Sequence, residues 1–235
     1  MTSALISCIV PVFNGARYLG ETLDSILAQT YRPLDIIVVD DGSTDETATT
    51  TSGYGRRVQY LWQANQGEAS ARNRGLCAAQ SELVAFVDAD DLWHPEKLAR
   101  QMNRFDERPE LDLCFTCFQN FWVPELAEEE RRYRRSSLSR PQSGWSTSTL
   151  LARRSVFDRF GNFVDDGSQT PGSESTIWFL RAVEGGAVIE TLPDILMYRR
   201  FHTANVSRND PLKSFFPILK EWRDYQRRRR ALKAG

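Results

Sequence analysis

Three acids end an apolar run in Phe86-Val87-Asp88-Ala89-Asp90-Asp91. Carboxylates one residue apart, at Asp88 and Asp90, can share a divalent cation and the phosphate oxygens around it. Hard cations such as Mg²⁺ and Mn²⁺ take oxygen ligands, commonly one or two protein carboxylates together with substrate phosphates. The cluster therefore suggests metal-assisted chemistry on a diphosphate. The competing reading is an acidic turn that caps the next helix, because Asp is a favoured N-cap residue. A second acidic cluster, Asp40-Asp41-Gly42-Ser43, also follows an apolar run.

Both clusters gain meaning from the elements that must position them. Residues 5–12 read as an apolar strand, followed by a turn at Asn14-Gly15. Leu19, Leu23, Ile26 and Leu27 recur at helical spacing over residues 16–29, and Tyr31-Arg32-Pro33 breaks that helix. Residues 34–39, 57–62 and 83–87 read as further strands, and 45–51 and 67–79 as helices. The alternation predicts an α/β chain with a parallel, doubly wound sheet. Open sheets of this kind bind ligands beyond the carboxyl ends of their strands, where both acidic clusters fall.

The second half is less regular. A helix is expected over 95–105, a strand over 111–118 and another over 145–151. The charged stretch 124–141 reads as a solvated surface helix or excursion. A short helix over 155–160, a loop over 164–173, a helix over 175–184 and short strands at 187–189 and 195–198 follow. Residues 1–210 are expected to form one unit, with halves at 1–105 and 106–210. Phe215, Phe216, Leu219 and Trp222 then lead into an arginine run at 227–230, which reads as a basic amphipathic helix over 211–235. Such a helix can contact an anionic membrane surface, or pack on its own domain or on a twin subunit.

Composition narrows the class. With 235 residues, 41% hydrophobic and 26% charged, the chain suits one globular domain with an appendage. A net charge of −1 gives no global attraction to nucleic acid. No apolar run approaches the roughly 18 residues of a membrane span, and residues 1–10 lack the basic region of a signal peptide. Cys8, Cys77, Cys114 and Cys117 read as buried, inert thiols of a cytoplasmic protein, since Cys114-Phe115-Thr116-Cys117 has no second pair to complete a metal site. The glycine spacing of a dinucleotide turn, a phosphate loop ending in Gly-Lys-Ser/Thr and a Gly-x-Ser-x-Gly elbow are all absent. Any phosphate must therefore be held by metal and side chains.

Five segments follow one another at telling intervals: Ile9-Val10-Pro11-Val12-Phe13-Asn14, Ser25-Ile26-Leu27-Ala28-Gln29-Thr30-Tyr31, Val38-Val39-Asp40-Asp41-Gly42-Ser43-Thr44-Asp45, Ala71-Arg72-Asn73-Arg74-Gly75 and the Phe86–Asp91 run. Together they closely resemble family 2 glycosyltransferases, inverting enzymes with the glycosyltransferase A fold, a Rossmann-like, mostly parallel sheet flanked by helices. The resemblance is strong over residues 4–105. It continues more weakly through 149–163, 178–182 and 198–207.

The resemblance implies a nucleoside-diphosphate sugar donor, expected to be a uridine one, and a Mn²⁺ or Mg²⁺ cofactor. It places Pro11, Val12, Phe13 and Asp40, with Asp41 beside it, at the nucleotide base. A carboxylate there can accept the ring N–H of uracil. It places Arg72 near the base or phosphates, suited to either by its planar fork. Asp88, with Ala89, matches the position that meets ribose or metal-bound water, and Asp90 the principal metal ligand. His202, in Tyr198-Arg199-Arg200-Phe201-His202, matches a late histidine near the metal or diphosphate; neutral imidazole can ligate a cation. Asp91 and Trp93 are expected to act in support, as a helix cap and a packing anchor. The acceptor, whether glycan, lipid-linked, peptide or small molecule, is not legible.

One position departs from the pattern. Family members place the general base as the aspartate of a Glu-Asp pair that opens a late helix. Here Gly172-Ser173-Glu174-Ser175-Thr176-Ile177-Trp178 puts Glu174 at the first acid and Ser175 at the base. A serine hydroxyl is not basic at neutral pH. Glu174 is the expected base, with Asp165 and Asp166 as alternatives, unless the acceptor is already nucleophilic. The rival reading is a binding or scaffolding protein that has lost its base. A sugar nucleotidylyltransferase is less suitable, because a glycine-rich basic loop after the first strand is missing.

Overall fold

Seven consecutive buried residues, Ile6–Val12, form β1, which lies between its parallel neighbours β2 (Leu34–Asp40) and β4 (Leu83–Phe86). A strand covered on both faces can be apolar throughout, as here. In the computed structural model, which describes residues 4–143, 145–164 and 172–205, the chain builds a nine-stranded sheet flanked by helices. The order is β3-β2-β1-β4-β8-β6-β9-β5, with β7 paired to β6. The remaining strands are β3 (Gln59–Trp62), β5 (Leu92–Trp93), β6 (Leu113–Trp122), β7 (Gln142–Ser143), β8 (Leu151–Arg153) and β9 (Ile189–Phe201). The longest pairings, β1 with β2 and β6 with β9, are parallel; β8 runs antiparallel to both β4 and β6, and β5 and β7 pair antiparallel with β9 and β6.

Alternation along β1 divides the core between the two faces. Ile6, Cys8, Val10 and Val12 pack with residues of α1 (Ala16–Leu27) and α4 (Lys97–Glu107). Ile9 packs on the other face with α3 (Glu68–Ala78), α6 (Ser155–Phe160) and α7 (Ser173–Glu184). A Cβ on Gly75 of α3 would stand 2.3 Å from Ile9 Cγ2, so only glycine lets this helix lie so close to the strand. α2 (Thr47–Ser52) and α5 (Ala127–Tyr133) complete the helices. The charged stretch contains α5, none of whose residues is buried, as its solvated reading requires.

Two expected elements differ. Residues 145–151 do not form one strand. Thr147–Thr149 make a short 3₁₀ turn before β8, because Ser146 Oγ accepts from Ser148 N and Thr149 Oγ1 donates to Ser146 O. Serine and threonine offer the backbone such local partners in place of a ladder. The two short strands expected after residue 186 are one, β9. Its pairing with β6 steps from Thr116–Leu192 to Cys117–Ile195, and this irregularity absorbs Pro193, which cannot donate to a ladder.

Cys8 and Cys114 are buried, and burial pushes both thiols up to about 12. Cys77 is exposed, contrary to expectation. Among the described residues no helix is long and apolar enough to cross a membrane. The basic segment expected over 211–235 and the alternatives Asp165 and Asp166 lie outside the described residues.

Candidate active site

The turn from β4 to β5 carries the acids. Asp91 N donates to Asp88 O, closing the turn, and Thr22 Oγ1 of α1 reaches both the Ala89 and Asp91 carbonyls at 2.9 Å. Asp91 is buried and its carboxylate accepts from Arg200 N at 3.2 Å. Burial, then the nearby Asp90 and Asp88, push its carboxyl well above the usual range. It ties β9 to the turn and caps no helix, which corrects the expected role. Trp93 is the expected anchor: it is buried, and Nε1 donates to Ser148 O at 2.8 Å.

Asp90 meets the end of β9. His202 Nε2 lies 2.8 Å from Asp90 Oδ2, and Asn205 Nδ2 donates to the same oxygen at 3.1 Å. Arg200 holds this segment in place. Its Nε donates to Asp90 O, its Nη2 pairs with Glu21, and its guanidinium lies between the rings of Tyr18 and Phe121. Asp90 thus offers a carboxylate oxygen, the donor type that Mg²⁺ or Mn²⁺ takes beside phosphate oxygens, with the His202 imidazole next to it. Asp88 faces elsewhere. Among the described residues no three acidic, histidine or cysteine side chains are grouped so as to hold a metal ion, and Asp88 does not join Asp90 and His202.

Asp88 instead pairs with Arg72, whose side chain is only 3% exposed. Arg72 Nη2 reaches Asp88 Oδ1 at 3.0 Å, Glu68 Oε1 and Thr147 Oγ1, while Nη1 meets Glu174 Oε1 at 2.6 Å. One buried guanidinium therefore gathers three carboxylates from α3, the β4–β5 turn and α7. Glu68 is pushed up to about 7 by desolvation in the cleft, then by Asp88, Glu174 and Asp90, against the opposing pull of Arg72. Ser175 Oγ donates to Gly172 O at 2.9 Å.

Asp40 is buried at the end of β2, with Oδ1 accepting from Ser43 N and Oδ2 from the Tyr60 hydroxyl at 2.6 Å. Burial and that carboxylate raise the Tyr60 phenol, keeping it protonated. Asp41 accepts from Gln63 Nε2, Gln66 N and Gly67 N, so its carboxylate braces the loop leading into α3. Pro11 and Val12 lie buried within β1, whereas the Phe13 side chain is exposed at the strand's end.

A cleft of about 390 Å³ is lined by Glu68, Arg72, Asp88, Asp90 and Asp91, and by Trp145, Thr147, Ser175 and Thr176. Asp40 and Phe13 do not line it. A larger cleft, about 510 Å³, opens between the amino ends of β2 and β3 and contains none of these acids. Sequence reasoning missed Glu68, Tyr60, Thr147 and Ser148. Glu68 was within reach, because it stands four residues before Arg72 on a helix, a spacing that brings opposite charges together. The other three carry no local signal.

This cleft, at the carboxyl edge of a mostly parallel sheet, suits a negatively charged ligand met by Arg72 and a cation. The sequence model of glycosyl transferase family 2 matches residues 7–181, and the chain belongs to that family. An uncharacterized glycosyltransferase of Nostoc sp. is 34% identical over 218 residues, covering 85% of this chain and 66% of its own length. One from Rickettsia typhi is 41% identical over 115 residues, covering 49% of this chain and 36% of its own. The chain thus spans about a third to two thirds of these relatives. S. aureus TarS 1–349, solved in complex with UDP-GlcNAc, superposes with a TM-score of 0.72 at 21% identity, covering 92% of this chain and 66% of that one. The mannosyltransferase PcManGT from Pyrobaculum calidifontis, solved with GDP-Man and Mn²⁺, gives 0.66 at 22% identity, covering 88% and 59%. The fold is the glycosyltransferase A fold.

Proposed function

We propose that the chain is an inverting glycosyltransferase that moves a sugar from a nucleoside-diphosphate sugar, a uridine one, to an acceptor nucleophile with the help of Mg²⁺ or Mn²⁺. The observation that carries the reading is that one turn, β4–β5, sets Asp90 against His202 and Asp88 against the buried Arg72. Residues 1–210 act as one catalytic unit in this account, supported by the sheet that runs through both halves.

Arg72 is the cation poised for the donor's diphosphate, and its three carboxylates occupy it until the ligand enters. Asp40 and Phe13 would meet the base, with Tyr60 fixing the Asp40 carboxylate. Asp90 and His202 would hold the cation, and Asp88 would turn from Arg72 to ribose or metal-bound water. A bound cation supplies charge compensation to the departing diphosphate. Glu174 is the proposed base, since it is the carboxylate beside Ser175 and is released when Arg72 turns to phosphate. It would accept the acceptor's proton as attack on the anomeric carbon proceeds, a contribution of about 10² to 10⁴ in rate.

A second reading is favoured by one observation. Ser175 stands at the base position and its hydroxyl proton is committed to Gly172 O. A protein that binds sugar nucleotides and has lost its base would look the same there.

Thermal shift across nucleoside-diphosphate sugars, with and without Mn²⁺, tests the common core of both readings, since selective ligands raise apparent stability. A Mn²⁺-dependent shift with uridine nucleotides is expected. No shift with any nucleotide sugar would overturn both.

A further inference from the structure

We propose that Trp145 is the platform of an acceptor subsite, and that the acceptor presents to it the face of a neutral sugar ring. The inference rests on the transferase reading and names the substrate class on the receiving side.

A single exposed aromatic is ordinary on a protein surface. Trp145 is unusual because it is exposed yet immobilised. It is 44% exposed and lines the cleft that holds Arg72, Asp88 and Asp90. Its ring stacks on Phe115 at 5.8 Å and 23°, and meets Phe179 at 6.2 Å and 69°. Those two rings touch each other at 5.3 Å and are buried, and Phe179 packs in turn on the buried Trp178. An indole fixed this way offers a rigid flat face, and little side-chain freedom is lost when a ligand covers it.

The surroundings specify the ligand's chemistry. Ser175 and Thr176, which line the same cleft, both donate their hydroxyl protons to Gly172 O, at 2.9 and 3.0 Å. A hydroxyl that has given its proton keeps lone pairs to accept. The rim therefore suits a ligand rich in O–H donors. The C–H bonds on one face of a pyranose, polarised by neighbouring oxygens, meet the negative face of an aromatic ring. Trp145, Ser175 and Thr176 carry no charge, so the surface they form matches a neutral ring.

The platform belongs to the acceptor because of where it originates. The groups proposed for nucleotide and cation come from β2, α3, the β4–β5 turn and the end of β9. Trp145, Ser175 and Thr176 come from the segment before β8 and the start of α7. A direct displacement needs nucleophile and leaving diphosphate on opposite sides of the anomeric carbon, so the nucleophile's carrier requires a separately built surface.

The test uses methyl glycosides of glucose, galactose, mannose and N-acetylglucosamine, added to the full chain without donor or nucleotide. Saturation-transfer NMR should show at least one of them receiving signal on one ring face. Trp145→Ala should weaken that binding about tenfold, the scale of one lost aromatic contact. Trp145→Phe should retain most of it, and both variants should bind uridine diphosphate with Mn²⁺ as the wild type does. No saturation of any glycoside, wild-type binding by Trp145→Ala, or equal losses of glycoside and nucleotide-sugar affinity would each overturn the proposal. Trp145-dependent glycoside binding by a chain that takes no nucleotide sugar would support the ring platform and overturn the transferase reading.

Discussion

Arg72 and Glu174 stand 102 positions apart and form an ion pair of 2.6 Å, with side chains 3% and 12% exposed. The pair ties α3 of the first half to α7 of the second across the cleft. Replacing Arg72 leaves Glu68, Asp88 and Glu174 without their shared cation. Breaking a buried pair from one side typically costs about 3 to 5 kcal/mol. Arg72→Met should therefore lower unfolding stability in urea by roughly 3 kcal/mol and abolish nucleotide-sugar binding. A variant as stable as the wild type would show that the three acids are compensated elsewhere.

Ser175→Asp separates the two functional readings. If the base has been lost, restoring the carboxylate should raise transfer by about 10²-fold or more. If Glu174 serves as base, Ser175→Asp should change turnover little while Glu174→Gln removes it. Steady-state rates of sugar transfer for the two variants decide the matter.

Asp90→Ala should abolish the Mn²⁺-dependent part of nucleotide binding, measured by calorimetry with and without the cation. His202→Gln should weaken it less, because one carboxylate and the phosphate oxygens remain. Wild-type cation dependence in Asp90→Ala would remove Asp90 from the site.

Lys97 supplies a pH-dependent prediction. It is fully buried, its Nζ donates to Gln101 Oε1 at 2.9 Å, and it lies 4.3 Å from the Trp93 ring centroid. Burial lowers its ammonium to about 7. The unfolded chain keeps this lysine protonated up to about pH 10.4. Between these values the unfolded state binds more protons, so the Lys97 contribution to stability rises with pH. Lys97→Met should be more stable than the wild type at pH 6, and the difference should shrink by pH 9. Denaturant melts at several pH values check this, and a pH-independent difference counts against a neutral buried amine.

Gly75→Ala probes the contact between α3 and β1. The added methyl would meet Ile9 Cγ2 at 2.3 Å and Cγ1 at 3.2 Å. Overpacking of this kind costs about 1 to 3 kcal/mol. A corresponding drop in urea midpoint is expected, and because α3 carries Arg72 and Glu68, nucleotide binding should weaken with it.

The sequence by itself determined the first half. Short apolar runs and helical spacing, broken by Asn14-Gly15 and Arg32-Pro33, marked β1 to β4 and the helices between them. The parallel sheet then followed, because alternating strands and helices have few other ways to bury both faces. The acids at strand ends were legible for the same reason. Position along the chain settles what lies at the carboxyl edge.

Tertiary structure alone decided the partners. Asp88 reads as a metal ligand beside Asp90, yet turns to Arg72, because an arginine buried by packing must be paired and α3 brings it within 3.0 Å. His202 meets Asp90 only because β9 runs on past Pro193, against β6, to the β4–β5 turn. Tyr60, Thr147 and Trp145 acquired roles from neighbours far away in sequence, which no local periodicity encodes. Local patterns fix where elements begin and end, since backbone geometry is local; the charges and rings that meet in the cleft are chosen by packing over the whole sheet.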